Sequence, residues 1–113
     1  MEHRVQYLKD ENGHYVGCIA IREHTPNAGE RYTLVEYRVS VRNPEDQFDK
    51  SVARQLALGR MVEAPFTVRV SAHPNMHEVS EAVMKDIIRD SGAPSRARRA
   101  AKLWVRWNGR TGS

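Results

Sequence analysis

The sequence is poor in the residues that carry covalent and redox chemistry. It holds one cysteine, Cys18, so an internal disulfide is excluded. Cys18 lies inside an apolar, strand-like pattern, where a buried reduced thiol is the ordinary state. A reducing cytoplasm fits that state. No apolar run approaches the ~18 residues a membrane-spanning helix needs, so no membrane partner is expected. The opening MEHRVQYLKD lacks the basic-then-apolar pattern of a secretory leader. There is no glycine loop of the phosphate-cradling kind and no zinc-ligand spacing. His73 and His77 stand four apart, but a proline-containing turn separates them and no cysteine or carboxylate pair completes a set. Glu45, Asp46 and Asp49 cluster where a helix should begin, and negative charge there complements the helix dipole. The expectation is a non-enzyme with no catalytic residue, no metal and no cofactor.

Acidic residues are missing altogether from residues 91–113, which carry Arg96, Arg98, Arg99, Lys102, Arg106 and Arg110. Residues 1–90 hold 12 Lys and Arg against 14 Asp and Glu. The overall charge of +4 and pI near 9.6 therefore originate in the C-terminal segment. Such asymmetry points to an anionic partner, with nucleic acid the commonest for a cytoplasmic protein. A solvated basic tail is the plainer alternative.

What is present reads as one α+β domain. At 113 residues the chain has enough material for one modest core. Residues 4–9 (RVQYLK) and 15–22 (YVGCIAIR) are rich in β-formers and flank DENGH, whose Asn12-Gly13 suits a hairpin turn. Gly17 marks a bulge or a close packing contact. Residues 31–42 alternate with period two. Thr33, Val35, Tyr37, Val39 and Val41 share one face; Tyr32, Leu34, Glu36, Arg38, Ser40 and Arg42 share the other. Asn43-Pro44 ends this strand, and Asn43 is a candidate cap for the helix that follows. Its stripe is expected at Phe48, Val52 and Leu56, flanked by Ala53 and Ala57, with Gly59 as its stop. A fourth strand, residues 66–71, should turn Phe66, Val68 and Val70 inward. A second helix, residues 76–90, should be capped by Asn75 and bury Met76, Val79, Val83 and Ile87. From Ser95 a helix to about Trp104 is preferred, although KLWVRW also alternates like a strand.

The order β-β-β-α-β-α implies a four-stranded, mainly antiparallel sheet with helices on one face and a basic C-terminal segment. Residues 1–92 would form the globular domain and residues 93–113 the basic segment. The open sheet face would show Arg38, Arg42 and Arg69 beside Tyr32. Cations that track phosphates beside rings that stack on bases suit single-stranded nucleic acid. Glu36 among them argues against a purely anionic ligand. In the C-terminal segment, Arg98, Lys102 and Arg106 form a stripe, joined by Arg96 and Arg99. Trp104 and Trp107 either anchor the segment on the domain, plug a partner subunit or stack on bases.

The phrase Asn43-Pro44-Glu45-Asp46-Gln47-Phe48-Asp49-Lys50, followed by Ala53-Arg54, Ala57 and Gly59-Arg60, resembles a pattern of small bacteriophage-encoded proteins. The hairpin phrase at residues 10–14, with Val16-Gly17-Cys18, is similar too. The resemblance covers residues 5–60, carries no catalytic residue and leaves out the tryptophan-bearing tail. It implies a phage or mobile-element origin. Such proteins are mostly single-stranded DNA binders, transcription modulators or inhibitors of a host enzyme. Residues and resemblance together lead to a viral DNA-binding protein acting on single-stranded DNA with little sequence preference, in phage replication or transcription. The alternative is a phage protein that inhibits or redirects a host protein. A homo-oligomer is expected of the DNA-binding protein, because linked copies of a small surface gain by avidity.

Overall fold

The computed structural model describes residues 3–24, 26, 28–42, 49–63, 65–90 and 92–108. The elements in chain order are β1 (His3–Lys9), β2 (Tyr15–His24), β3 (Tyr32–Val41), α1 (Lys50–Glu63), β4 (Phe66–Ser71), α2 (Met76–Arg89) and α3 (Ser95–Asn108). The strands form one sheet in the order β1-β2-β3-β4, antiparallel throughout. The α+β class, the strand count and the element order agree with the sequence expectation.

The β1–β2 hairpin closes as its residues dictate. The Asp10 carboxylate accepts from the backbone N–H groups of Asn12 and His14, both at 2.9 Å, and Gly13 takes φ +80°. Register runs from His3 opposite Arg22 to Leu8 opposite Gly17, then jumps so that Lys9 faces Tyr15. The extra residue is Val16, so the irregularity adjoins Gly17. Gly17 itself answers to a close contact. A Cβ there would lie 2.3 Å from the Ser40 carbonyl oxygen of the neighbouring strand.

Alternation along the strands sorts the core into two layers. On one face Ile19, Ile21, Val35 and Tyr37 pack with Val79, Val83, Met84 and Ile87 of α2 and with Ala97, Ala100 and Ala101 of α3. Tyr37 donates its phenolic O–H to Asp86 at 2.5 Å. Burial, and then the Asp86 carboxylate, push the phenol far above its ordinary range, so it stays a neutral donor. On the opposite face Cys18 and Ala20 pack with Ala53, Ala57 and Met61 of α1. Adjacent strand residues point to opposite faces, so α1 covers one side of the sheet while α2 and α3 cover the other. Here the structure departs from the expectation of helices on one face and an open face behind. Cys18 is fully enclosed, and burial pushes its thiol up to about 11. Such a thiol is inert.

The phase of α1 is also corrected. Val52 and Leu56 are 52% and 48% exposed, while Ala53, Ala57 and Met61 are buried. Both rows have four-residue spacing, so periodicity could not choose between them. Packing chooses: the sheet floor is the small pair Cys18 and Ala20, and alanines let the helix settle close to it. The helix is capped by Asp49, whose carboxylate accepts from the N–H groups of Ser51 and Val52 at 2.9 and 3.2 Å. It runs past Gly59 to Glu63. The expected cap Asn43 with Pro44, and Phe48 of the expected stripe, lie outside the described residues.

α2 begins at Asn75 with a full capping box. The Asn75 side chain accepts from the Glu78 N–H, and the Glu78 carboxylate accepts from the Asn75 N–H. Met76 is 64% exposed, not inward as expected, because it sits in the first turn beyond the edge of the core. Phe66 does keep the expected face, opposite Tyr37 with their rings 5.5 Å apart, but stays 41% exposed because β4 is an edge strand. α3 is a helix through its whole length and continues to Asn108, beyond Trp104. Its alanine side joins the core formed by α2 and the sheet. No described helix is long and apolar enough to cross a membrane.

Candidate nucleic-acid interface

Eleven side chains stand out from the sequence, and the two-sided sheet separates them into three groups. Tyr32, Arg38 and Arg69 belong to the face that α1 partly covers. Arg42 and Arg96 meet at the end of β3. Arg98, Arg99, Lys102, Arg106, Trp104 and Trp107 belong to α3 on the other face. Arg38 and Arg69 therefore do not share a surface with the exposed α3 cations, and Arg42 meets α3 through Arg96.

The first group is largely satisfied within the protein. The Arg69 guanidinium lies over the Tyr32 ring at 4.7 Å, and the Arg38 guanidinium lies over the Phe66 ring at the same distance. One face of each ring is thus occupied by a cation of its own chain. The same holds for Tyr7 and Tyr15, whose rings lie under the Lys50 ammonium at 5.0 and 4.3 Å. Between these pairs stands Glu36, only 8% exposed. It accepts from Arg22 Nη2 at 2.8 Å and pairs with His24 Nε2. Burial alone would raise the Glu36 pKa. Hydrogen bonds from His24 and Arg22, with their charges, outweigh burial and hold the carboxyl below its usual range.

A carboxyl with a depressed folded pKa adds stability above the unfolded value of about 4.3, and loses it as pH falls through the folded value. Glu36→Gln removes that contribution at neutral pH and so flattens the acid limb. Thermal midpoints measured from neutral pH downward should converge for wild type and variant as the solution becomes acidic. Parallel curves would exclude Glu36 as a source of the acid sensitivity.

The second group is structural in its contacts. Arg96 Nη1 donates to the Arg42 carbonyl at 3.0 Å, which ties the start of α3 to the end of β3. Arg42 Nε donates to the Tyr15 carbonyl at 3.3 Å.

The third group is where charge and exposure coincide. Arg99, Lys102 and Arg106 are exposed on one outward arc of α3. Arg98 is half-buried with its Nε enclosed, so the stripe differs from the expected Arg98, Lys102 and Arg106. The cause is the 3.6-residue turn, which carries a strict four-residue row around the helix. Trp104 is half-buried, with its ring 5.5 Å from that of His77. Trp107 is 72% exposed, the largest value among the exposed large apolar side chains described.

Beside this arc lies a cleft of about 450 Å³ between α3 and the β1–β2 hairpin. Leu8, Leu103, Trp104 and Trp107 supply apolar wall, and Gln6, Asp10, Glu11 and Asn108 supply polar groups. A smaller hollow shares Asp10, Glu11 and Ala100 with it and continues to Arg96 and Arg99. The sequence reading missed Leu8, Gln6, Glu11 and Leu103. Leu103 could have been found from its four-residue spacing to Trp107. The hairpin residues could not, since only the folded chain brings them to α3.

The fold and this surface define an α+β domain that carries a cationic, tryptophan-bearing helix on one sheet face. No protein-family model matches the chain, and no curated protein or solved structure matches it either.

Proposed function

We propose that this protein binds nucleic acid, single-stranded DNA foremost, through the outward arc of α3. The observation that carries the reading is the exposed set Arg99, Lys102 and Arg106 beside exposed Trp107. The arrangement is electrostatically unfavourable by itself. α3 has no acidic residue in its first turn, where Arg96 and Arg98 face the positive end of the helix dipole. Lys102 and Arg106 repel at four-residue spacing with no acid on the helix to offset them. An anionic polymer laid along the arc removes that penalty, and an exposed indole offers a face on which a base stacks. The setting is the cytoplasm, and the process served is phage replication or transcription.

Fluorescence anisotropy with labelled single strands is the test. Binding should appear at low salt and weaken steeply as salt rises. Absence of binding at low salt would refute the reading.

A protein partner is the second reading, supported by a different surface. Val52 and Leu56 are exposed on successive turns of α1, on the sheet face away from α3. Paired copies of the chain would cover them and would link two α3 arcs. Size-exclusion chromatography with light scattering should show a homo-oligomer that Leu56→Asp converts to monomer. A monomeric wild type, together with stoichiometric capture of one host protein from nuclease-treated lysate, would favour the host-inhibitor role instead.

A further inference from the structure

We infer that the cleft between α3 and the β1–β2 hairpin is a nucleobase site, which prefers a base bearing an exocyclic amino group. The inference rests on the nucleic-acid reading and goes beyond it, because it gives the site a base preference that a charged arc alone lacks.

Three features of the cleft suit a base. The first is shape and chemistry. About 450 Å³ walled by Leu8, Leu103, Trp104 and Trp107 offers a flat apolar ring a place to lie. Trp107, at 72% exposure, is the side chain that gains most by being covered. The second is position. Arg99 lines the hollow that continues from the cleft, and Lys102 and Arg106 follow on the same outward arc. A nucleotide whose phosphate rests on Lys102 or Arg106, the residues directly before Leu103 and Trp107, has its base beside the indole. A base paired in a duplex is not free to turn there, so the site suits single strands.

The third feature is the polarity of the cleft end. Asp10 and Glu11 are the carboxylates that line it. Asp10 is committed to the hairpin turn, where it accepts two backbone hydrogen bonds, and the first of these to outweigh burial, from His14, holds its carboxyl below the ordinary range. Glu11 is exposed on the same turn. A carboxylate accepts from the N4 amino group of cytosine, whereas the one donor of thymine, N3–H, is flanked by the O2 and O4 acceptors that repel a carboxylate. The acids would repel a phosphate in this place. They suit the donor edge of a base whose phosphate rests on Lys102 or Arg106, which line neither hollow, and not on Arg99, which shares the smaller hollow with the two acids. Lys9 also lines the cleft, but its ammonium lies 5.0 Å from the Tyr15 ring.

Anisotropy at one moderate salt concentration tests the inference, with three probes of equal length: oligo-dC, oligo-dT and an abasic single strand. The full-length protein should bind oligo-dC about tenfold more tightly than the abasic strand, within the range set by stacking one base on an aromatic side chain. Oligo-dT should fall between them. Trp107→Ala should bring oligo-dC down to the abasic level and leave abasic binding unchanged. Glu11→Gln should narrow the gap between oligo-dC and oligo-dT while both still exceed the abasic strand. Both side chains are exposed, so circular dichroism and thermal midpoints should match wild type. Equal affinity for all three probes would overturn the base site and leave the nucleic-acid reading standing. Failure of all three to bind at low salt would remove that reading and the base site together.

Discussion

Replacing Gly17 with alanine should lower the thermal midpoint more than any other single-methyl change in the sheet. The added Cβ would stand 2.3 Å from the Ser40 carbonyl oxygen, 3.1 Å from Val41 Cα and 3.2 Å from the Ser40 carbonyl carbon. All three are backbone atoms of β3, so no side-chain rotation relieves the clash. Gly17 is paired directly with Val41, and the Arg42 N–H donates to the Val16 carbonyl at 2.9 Å. Moving β3 away would therefore break the ladder that joins the two inner strands. Alanine does reduce the entropy of the unfolded chain, but that gain is below about 1 kcal/mol. Overpacking against a rigid neighbour costs about 3 kcal/mol, and in a domain of this size the midpoint falls by roughly 15 °C. Differential scanning calorimetry checks it. A midpoint within a few degrees of wild type would mean that β2 and β3 separate there at little cost.

The sheet was legible in the sequence because period two leaves no choice of phase. In β3, Val35 and Tyr37 fall in one core layer while Glu36 and Arg38 lie on the opposite face, as their alternation requires. Asn12-Gly13 and Asn75 were legible for a related reason: turn and cap chemistry is local. The phase of α1 was not. Val52 with Leu56 and Ala53 with Ala57 satisfy the same spacing, and the choice depends on how small the sheet floor is at Cys18 and Ala20. That floor belongs to a strand more than 30 residues earlier in the chain.

The candidate site was legible in part. Composition alone located the cations, but Arg38 and Arg69 on β3 and β4 and the α3 cations look alike until the layers are known. Sequence also could not show that Tyr32 and Phe66 lie under arginines of the same chain. Trp104 and Trp107 are three residues apart, close enough to share one side of a helix. Their common neighbour is the β1–β2 hairpin at the other end of the chain. A surface built from both termini has no local signature, so the cleft appears only with the fold.

The combined substitution of Arg99, Lys102 and Arg106 by alanine should separate the α3 arc from the strand arginines. On single strands each phosphate contact contributes about 0.7 to the slope of log affinity against log salt. Three lost contacts should flatten the slope by about 2. Counterion release fades toward molar salt, so at one-tenth of that concentration the same change means roughly a hundredfold weaker binding. The three side chains are exposed and their removal relieves repulsion along α3, so the variant should fold as well as wild type. Arg38→Ala combined with Arg69→Ala is the matched control. Those guanidiniums lie over the rings of Phe66 and Tyr32 at the β3–β4 edge, away from α3, so this pair should leave the salt slope nearly unchanged. The reverse pattern would move the site: a slope lost with Arg38 and Arg69 but kept without the α3 cations would put the phosphate track on the strands. Loss in both variants would mean that the strand wraps the sheet edge and touches both faces. An equal loss of thermal midpoint in the triple variant would instead assign those cations to stability.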